Sequence, residues 1–110
     1  MCGIMGVHHP RHAGGISSRA IRTMLSGMVH RGPDGQGVFQ DDSVVLGHRR
    51  LSIIDLASGA QPMANEDGTI HVCANGEIFN YKELTADLTR RGHRFRTSCD
   101  IEVLLHLYEE

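Results

Sequence analysis

With 110 residues, 40% of them hydrophobic and 22% charged, the chain has the composition of a globular segment no larger than one domain. Eleven Lys and Arg against thirteen Asp and Glu leave a formal charge of -2, which gives no electrostatic reason to expect nucleic acid or an anionic membrane as partner. No stretch approaches the roughly 20 apolar residues of a membrane span, and residues 1–12 lack the apolar core of a secretory leader, so the expected location is cytoplasmic.

Residues 2–7 are short and apolar and contain Gly3 and Gly6, the pattern of a strand that admits close backbone approach. Residues 16–30 place Ile21, Met24, Leu25 and Met28 at helical spacing behind the N-cap candidates Ser17 and Ser18. This helix is expected to end before Arg31-Gly32-Pro33, and Met24 and Met28 are expected in the core. Residues 35–40 and 43–46 predict two strands around the turn Asp41-Asp42, with residues 47–54 continuing extended. A long loop to Gly68 follows, then a β-type run over residues 69–74, the turn pair Asn75-Gly76 and the short apolar stretch Ile78-Phe79. Asn80 with Glu83 predicts a capping-box helix through Arg91, with Leu84 and Leu88 inward and Gly92 as C-cap. Residues 100–110 predict a last helix without glycine cap, proline or basic last turn, and the C-terminus is read as a cut.

Three cysteines, Cys2, Cys73 and Cys99, are odd in number and widely spaced, which fits reduced thiols better than a disulfide framework or a zinc site; Cys73 reads as a buried packing residue. Cys2 directly follows Met1, and a small second residue permits Met removal. The chain would then begin with a thiol and an α-amine on one residue. An α-amine titrates at about 7.7–8.0 and a free thiol at about 8.5, so the amine can serve as base to its own sulfur. Taken alone, Cys2 reads first as an ordinary buried cysteine at a chain start.

Three further blocks place polar residues where a plain core would not need them. The run from His48 to Leu56 carries the pair Arg49-Arg50, whose guanidinium can fork onto a carboxylate or form a surface ion pair. Asn75-Gly76-Glu77 is either a hairpin turn or a pair of donors, side-chain amide and backbone N–H, suited to an oxyanion. Asp100 and Glu102 open a helix, as caps or as partners for an ammonium group. By contrast, His8, His9 and His12 lie in a loop without a carboxylate or cysteine beside them, and no metal is expected there. The stretch 32–37 is glycine-rich but lacks the lysine of a P-loop and fits no dinucleotide fingerprint.

Taken in order, Cys2-Gly3-Ile4, Arg31-Gly32-Pro33-Asp34, the His48 to Leu56 block, Gly59-x-Gln61-Pro62-Met63, Asn75-Gly76-Glu77-Ile78-Phe79-Asn80-Tyr81 and Glu102-Val103-Leu104-Leu105-His106 resemble the glutaminase domain of glutamine-dependent asparagine synthetases. That domain is a class II glutamine amidotransferase of the N-terminal nucleophile hydrolase type. The resemblance implies an α+β fold, part of a four-layer αββα sandwich, with residues 1–110 forming an amidotransferase domain truncated at its C-terminus. It implies Cys2 as nucleophile with its own α-amine as base, and Asn75 with the Gly76 N–H as oxyanion hole. Arg50 would hold the glutamine α-carboxylate, Leu51, Ser52, Ile53 and Ile54 would shape the pocket, and Glu77 and Asp100 would face the α-ammonium.

The reaction implied is hydrolysis of glutamine to glutamate and ammonia, the ammonia serving ATP-dependent conversion of aspartate to asparagine in a full-length enzyme. No cofactor is implied for this segment; ATP and Mg belong to a synthetase domain that the chain lacks. Implied partners are glutamine and that C-terminal domain, and a homodimer is allowed for. The sequence departs from the family where Ser-Asp-Thr-Glu becomes Cys99-Asp100-Ile101-Glu102, which keeps the aspartate but loses its hydroxyl neighbours and puts Cys99 near the substrate site. Two alternatives stand beside this reading: an amidotransferase serving another ammonia acceptor, and a truncated module that binds glutamine without turning it over.

Overall fold

Alternating exposure along Gly3–His8 sets the first strand, β1, whose inward residues Met5 and Val7 meet a helix on one face of a sheet. The computed structural model describes residues 1–9, 15–52 and 59–110. β2 (Gly35–Gln40) and β3 (Val44–Arg50) complete a three-stranded antiparallel sheet in the order β1-β3-β2. Register pairs Gly3 with Arg49 and Gly35 with Arg50, so the chain start and the Arg49-Arg50 pair share one end of the sheet. The predicted Asp41 turn is present. Its Oδ1 accepts the N–H groups of Ser43 and Val44, each at 2.7 Å, and those bonds hold the carboxyl below its ordinary range.

Helix α1 (Ser18–Ser26) is capped by Ser17, whose hydroxyl accepts the Ala20 N–H at 3.2 Å. Ile21 and Leu25 are buried against Val45 of β3, with Met28 half-buried beside them. The helix stops at Gly27, short of His30, because the chain tightens into a turn in which the Arg31 and Gly32 N–H groups bond to the Met28 carbonyl. Met24, expected in the core, is 41% exposed: the line from Ile21 through Leu25 to Met28 faces the sheet, and Met24 falls to its flank. Gly32 is obligatory at the turn's exit, since a Cβ there would stand 2.4 Å from the Arg49 carbonyl group. Beyond Pro33, the Asp34 N–H donates to the Arg50 carbonyl at 2.9 Å.

A second sheet pairs β4 (Met63–Ala64) with β5 (His71–Val72), antiparallel with Met63 opposite Val72. β4 lies inside the segment expected to be loop, and β5 is shorter than the predicted run over residues 69–74. The cause lies at Ala74, whose N–H donates to Gln61 Oε1 at 2.7 Å and whose carbonyl faces His48 Nε2 at 3.3 Å. Side chains, and not a neighbouring strand, take up those backbone groups. Cys73 is half-buried, its Sγ donating to the Gly47 carbonyl at 3.4 Å.

Helix α2 (Tyr81–Arg90) begins at Asn80 without the expected capping box: the Asn80 side chain makes no cap bond, and its carbonyl accepts from Glu83 and Leu84. Leu88 is buried and Leu84 half-buried. Arg91 is the cap residue. Gly92 follows it with φ of 105°, its N–H bonding to the Thr89 carbonyl and the His93 N–H to the Leu88 carbonyl, a Schellman ending. The last helix starts as a 3-10 turn over Asp100–Glu102 and continues as α3 (Val103–Glu109). Met63, Cys99, Ile101 and Leu105 form the core under the second sheet, with Ile70 and Val72 packed on it. Helices and antiparallel sheets in this order make an α+β arrangement. Among the described residues no helix is long and apolar enough to cross a membrane.

Candidate active site

The shared end of the first sheet opens into a cleft of about 330 Å³ bounded by Cys2, Arg50, Leu51, residues 74–77 and residues 99–101. The Cys2 sulfur is fixed from β3's exit: the Leu51 N–H donates to Sγ at 3.3 Å, and Sγ lies 3.6 Å from the Leu51 carbonyl. Arg31 holds the same residue from the other side, its Nε donating to the Cys2 carbonyl at 3.2 Å. Thus the turn after α1 and the end of β3 together set where the Cys2 side chain points. Met1, 72% exposed, stands at the cleft's rim.

Only one member of the arginine pair reaches the cleft. Arg49 turns back, its Nε donating to the Gly32 carbonyl and its Nη1 to Gln36 Oε1, each at 2.9 Å, whereas Arg50 lines the cavity. Opposite in charge are Glu77 and Asp100, which also line it. Asp100 is 4% exposed, and its Oδ2 accepts the Ile78 N–H at 2.7 Å. A cleft with one guanidinium and two carboxylates complements a zwitterion. Asn75 and Gly76 are exposed on its wall, and among the described residues the Asn75 amide makes no hydrogen bond.

Cys2, Arg50, Leu51, Asn75, Gly76, Glu77 and Asp100 therefore meet at one cavity. Ser52 does not line it; its N–H donates to Asp34 Oδ2 at 2.9 Å, tying the end of β3 to the turn after α1. Ile53, Ile54 and His12 lie outside the described residues. Cys99 is 7% exposed and lines the cleft, with its Sγ 3.7 Å from Asp100 Oδ1. Burial pushes its thiol upward.

Two cleft residues were not singled out in the sequence. His48, 1% exposed, has Nδ1 without a partner among the described residues, and burial pushes its imidazole below the ordinary value despite the opposing Ala74 bond. Gln61, 7% exposed, sits beside a cis bond to Pro62, and a Cβ on Gly37 would stand 2.0 Å from its carbonyl oxygen. The signal for both was their place inside quoted blocks, but no spacing rule separates them from their neighbours. Cys73 belongs to the same neighbourhood: burial, reinforced by the Cys2 thiol, pushes its pKa up to about 11. Apart from the cleft, Glu66, His93, His106 and Glu109 gather their ligand atoms within 4.8 Å of one another.

A match to the glutamine amidotransferase domain family spans residues 1–110. Among curated relatives, asparagine synthetase [glutamine-hydrolyzing] 1 of Bacillus subtilis is 46% identical over 110 residues, 98% of this chain and 17% of the relative. A probable asparagine synthetase [glutamine-hydrolyzing] of Dictyostelium discoideum is 41% identical over 111 residues, covering 100% of this chain and 20% of the relative. In Arabidopsis thaliana, asparagine synthetase [glutamine-hydrolyzing] 1 is 44% identical over 110 residues, 100% of this chain and 18% of the relative. The chain spans about a fifth or less of the length of these relatives.

Proposed function

This chain belongs to the glutamine amidotransferase domain family, homologous to the N-terminal region of asparagine synthetases, and from that premise we propose that it hydrolyses glutamine to glutamate and ammonia with Cys2 as nucleophile. The observation that carries the reading is the convergence of Cys2, Asn75, Gly76, Arg50 and Asp100 on one cleft. In this reading Met1 is removed, which frees the Cys2 α-amine and clears the rim. Arg50 forks onto the substrate α-carboxylate, while Glu77 and Asp100 take the α-ammonium. Leu51 shapes the pocket from the end of β3.

The α-amine takes the Sγ proton, and the sulfur attacks the side-chain amide carbon. Negative charge then collects on the amide oxygen, where the Asn75 amide and the Gly76 N–H donate. Collapse breaks the C–N bond, the proton held on the α-amine passes to the departing nitrogen, and ammonia leaves a γ-glutamyl thioester on Cys2. A water, deprotonated by the same amine, attacks the thioester carbon. Its proton returns to sulfur, and glutamate departs.

We assign the fold to part of the αββα sandwich of N-terminal nucleophile hydrolases. The relatives' names further support a place at the front of a longer asparagine synthetase, where a C-terminal domain using ATP and Mg would consume the ammonia to turn aspartate into asparagine. The test is glutamate release by protein with a free Cys2 amine, compared with protein carrying an uncleavable N-terminal extension. Turnover only with the free amine is expected. Equal turnover in both would remove the α-amine from the mechanism.

A further inference from the structure

Three segments whose cluster residues do not line the cleft meet at His106: the turn after β4 through Glu66, the end of α2 through His93, and α3 itself through Glu109. The geometry points to a divalent-cation site of the zinc class held by His93, His106, Glu109 and Glu66, a site separate from the glutaminase cleft. His93 Nδ1 and His106 Nδ1 are 3.2 Å apart, and Glu109 Oε2 stands 3.2 Å from the first and 3.3 Å from the second. Glu66 Oε1 lies 3.9 Å from His106 Nδ1. Tetrahedral ligation at bonds of about 2.0–2.1 Å separates ligand atoms by about 3.3–3.4 Å. Three edges are close to that length, and Glu66, 36% exposed, stands farther off, so its carboxylate would have to move inward to complete the fourth corner.

The surroundings orient the donors as metal ligands are oriented. His93 Nε2 is 2.9 Å from Glu110 Oε1, so that nitrogen carries the proton and Nδ1 presents its lone pair inward. The buried Asn65 amide donates to Glu109 Oε1 at 2.6 Å and leaves Oε2 to the histidines. The Arg94 N–H donates to Glu66 Oε1 at 3.0 Å. His106 is 1% exposed, and its Nε2, without a hydrogen-bond partner among the described residues, faces Glu102 Oε1 at 3.8 Å. Two imidazole nitrogens at contact distance can share one proton at most; a cation satisfies both, together with the carboxylates. Two nitrogens and two carboxylate oxygens suit zinc better than magnesium or calcium, which take oxygen ligands. Bound there, the ion would fasten α3 to the end of α2 and to the β4–β5 connection.

The test is titration of the intact, chelator-stripped protein with Zn²⁺ alone, alongside His93→Gln and Glu66→Gln. The expected result is a zinc ion whose affinity falls at least about 10-fold in each variant, with glutaminase turnover unchanged. Co²⁺ in place of zinc should give the intense visible absorption of a tetrahedral site with no thiolate charge-transfer band. That spectrum, read on the unaltered protein, decides the matter even if His93→Gln fails to fold. Affinity unchanged in both variants, a thiolate band, an octahedral spectrum or no binding at all would reduce the cluster to ion pairs and overturn the site.

Discussion

The Leu51 N–H donates to the Cys2 sulfur at 3.3 Å, so the Cys2 side chain is aimed by a backbone group at the exit of β3. Replacing Leu51 by Pro removes that donor while leaving an extended backbone intact before it. A lost hydrogen bond of about 1–1.5 kcal/mol corresponds to a fall of roughly 5- to 13-fold in glutamate release. Steady-state assay of Leu51→Pro checks this, and an unchanged rate would show that the sulfur needs no such guide.

Arg50 and Arg49 predict opposite outcomes. Arg50→Lys loses the fork presented to the cleft and should raise KM for glutamine about 10-fold or more with kcat little changed. Arg49→Lys should instead act on stability, because its guanidinium bonds Gly32 and Gln36 outside the cleft. Kinetics and a denaturant midpoint on both variants separate the roles. A KM effect confined to Arg49→Lys would reverse the assignment.

Gly32→Ala forces a methyl to within 2.4 Å of the Arg49 carbonyl group, backbone that cannot swing aside. Destabilisation of about 1–3 kcal/mol or more is expected. Gly15→Ala meets no atom within 4 Å and serves as the control. Urea unfolding of the pair measures the difference; equal midpoints would mean that the turn relaxes at no cost.

Cys73 should make stability depend on alkaline pH. Cys73, pushed up from 9.0 to about 11, stays protonated in the folded chain while an unfolded chain would already have ionised. The folded state then holds the extra proton, so the stability contributed by this group is full below pH 9, falls as pH rises, and is gone above about 11. Cys73→Ala should flatten that part of the stability curve. Chemical unfolding between pH 8 and 11 provides the check, and a curve unchanged by the substitution would place the alkaline loss elsewhere.

How much the sequence reveals depends on how local the cause is. The first three strands and α1 were legible because alternation, a serine cap and an Asp turn act over a few residues. The ends of elements were less so: β5 is cut short at Ala74 by His48 and Gln61, which lie 26 and 13 residues away. The Asn80–Glu83 pattern has capping-box spacing, yet the Asn80 side chain does not bond back to the helix. Spacing could not tell Arg49 from Arg50, since sheet register decides which faces the cleft. Family resemblance brought Cys2, Asn75 and Asp100 into one expectation, although more than seventy residues separate the first from the second. The histidine-dense stretch drew notice in the sequence, while the cluster at His106, spread over four separate positions, could be seen only after folding.

Ala74 immediately precedes Asn75, and its two backbone groups are gripped by His48 and Gln61, the latter seated where Gly37 leaves room. The Asn75 wall of the cleft is therefore registered against His48 and Gln61, which line the cleft themselves, and through Gln61 against Gly37, which does not. A systematic substitution screen should find Gly37, on the far edge strand of the first sheet, as intolerant as a cleft residue, with the damage appearing as lost turnover before lost folding.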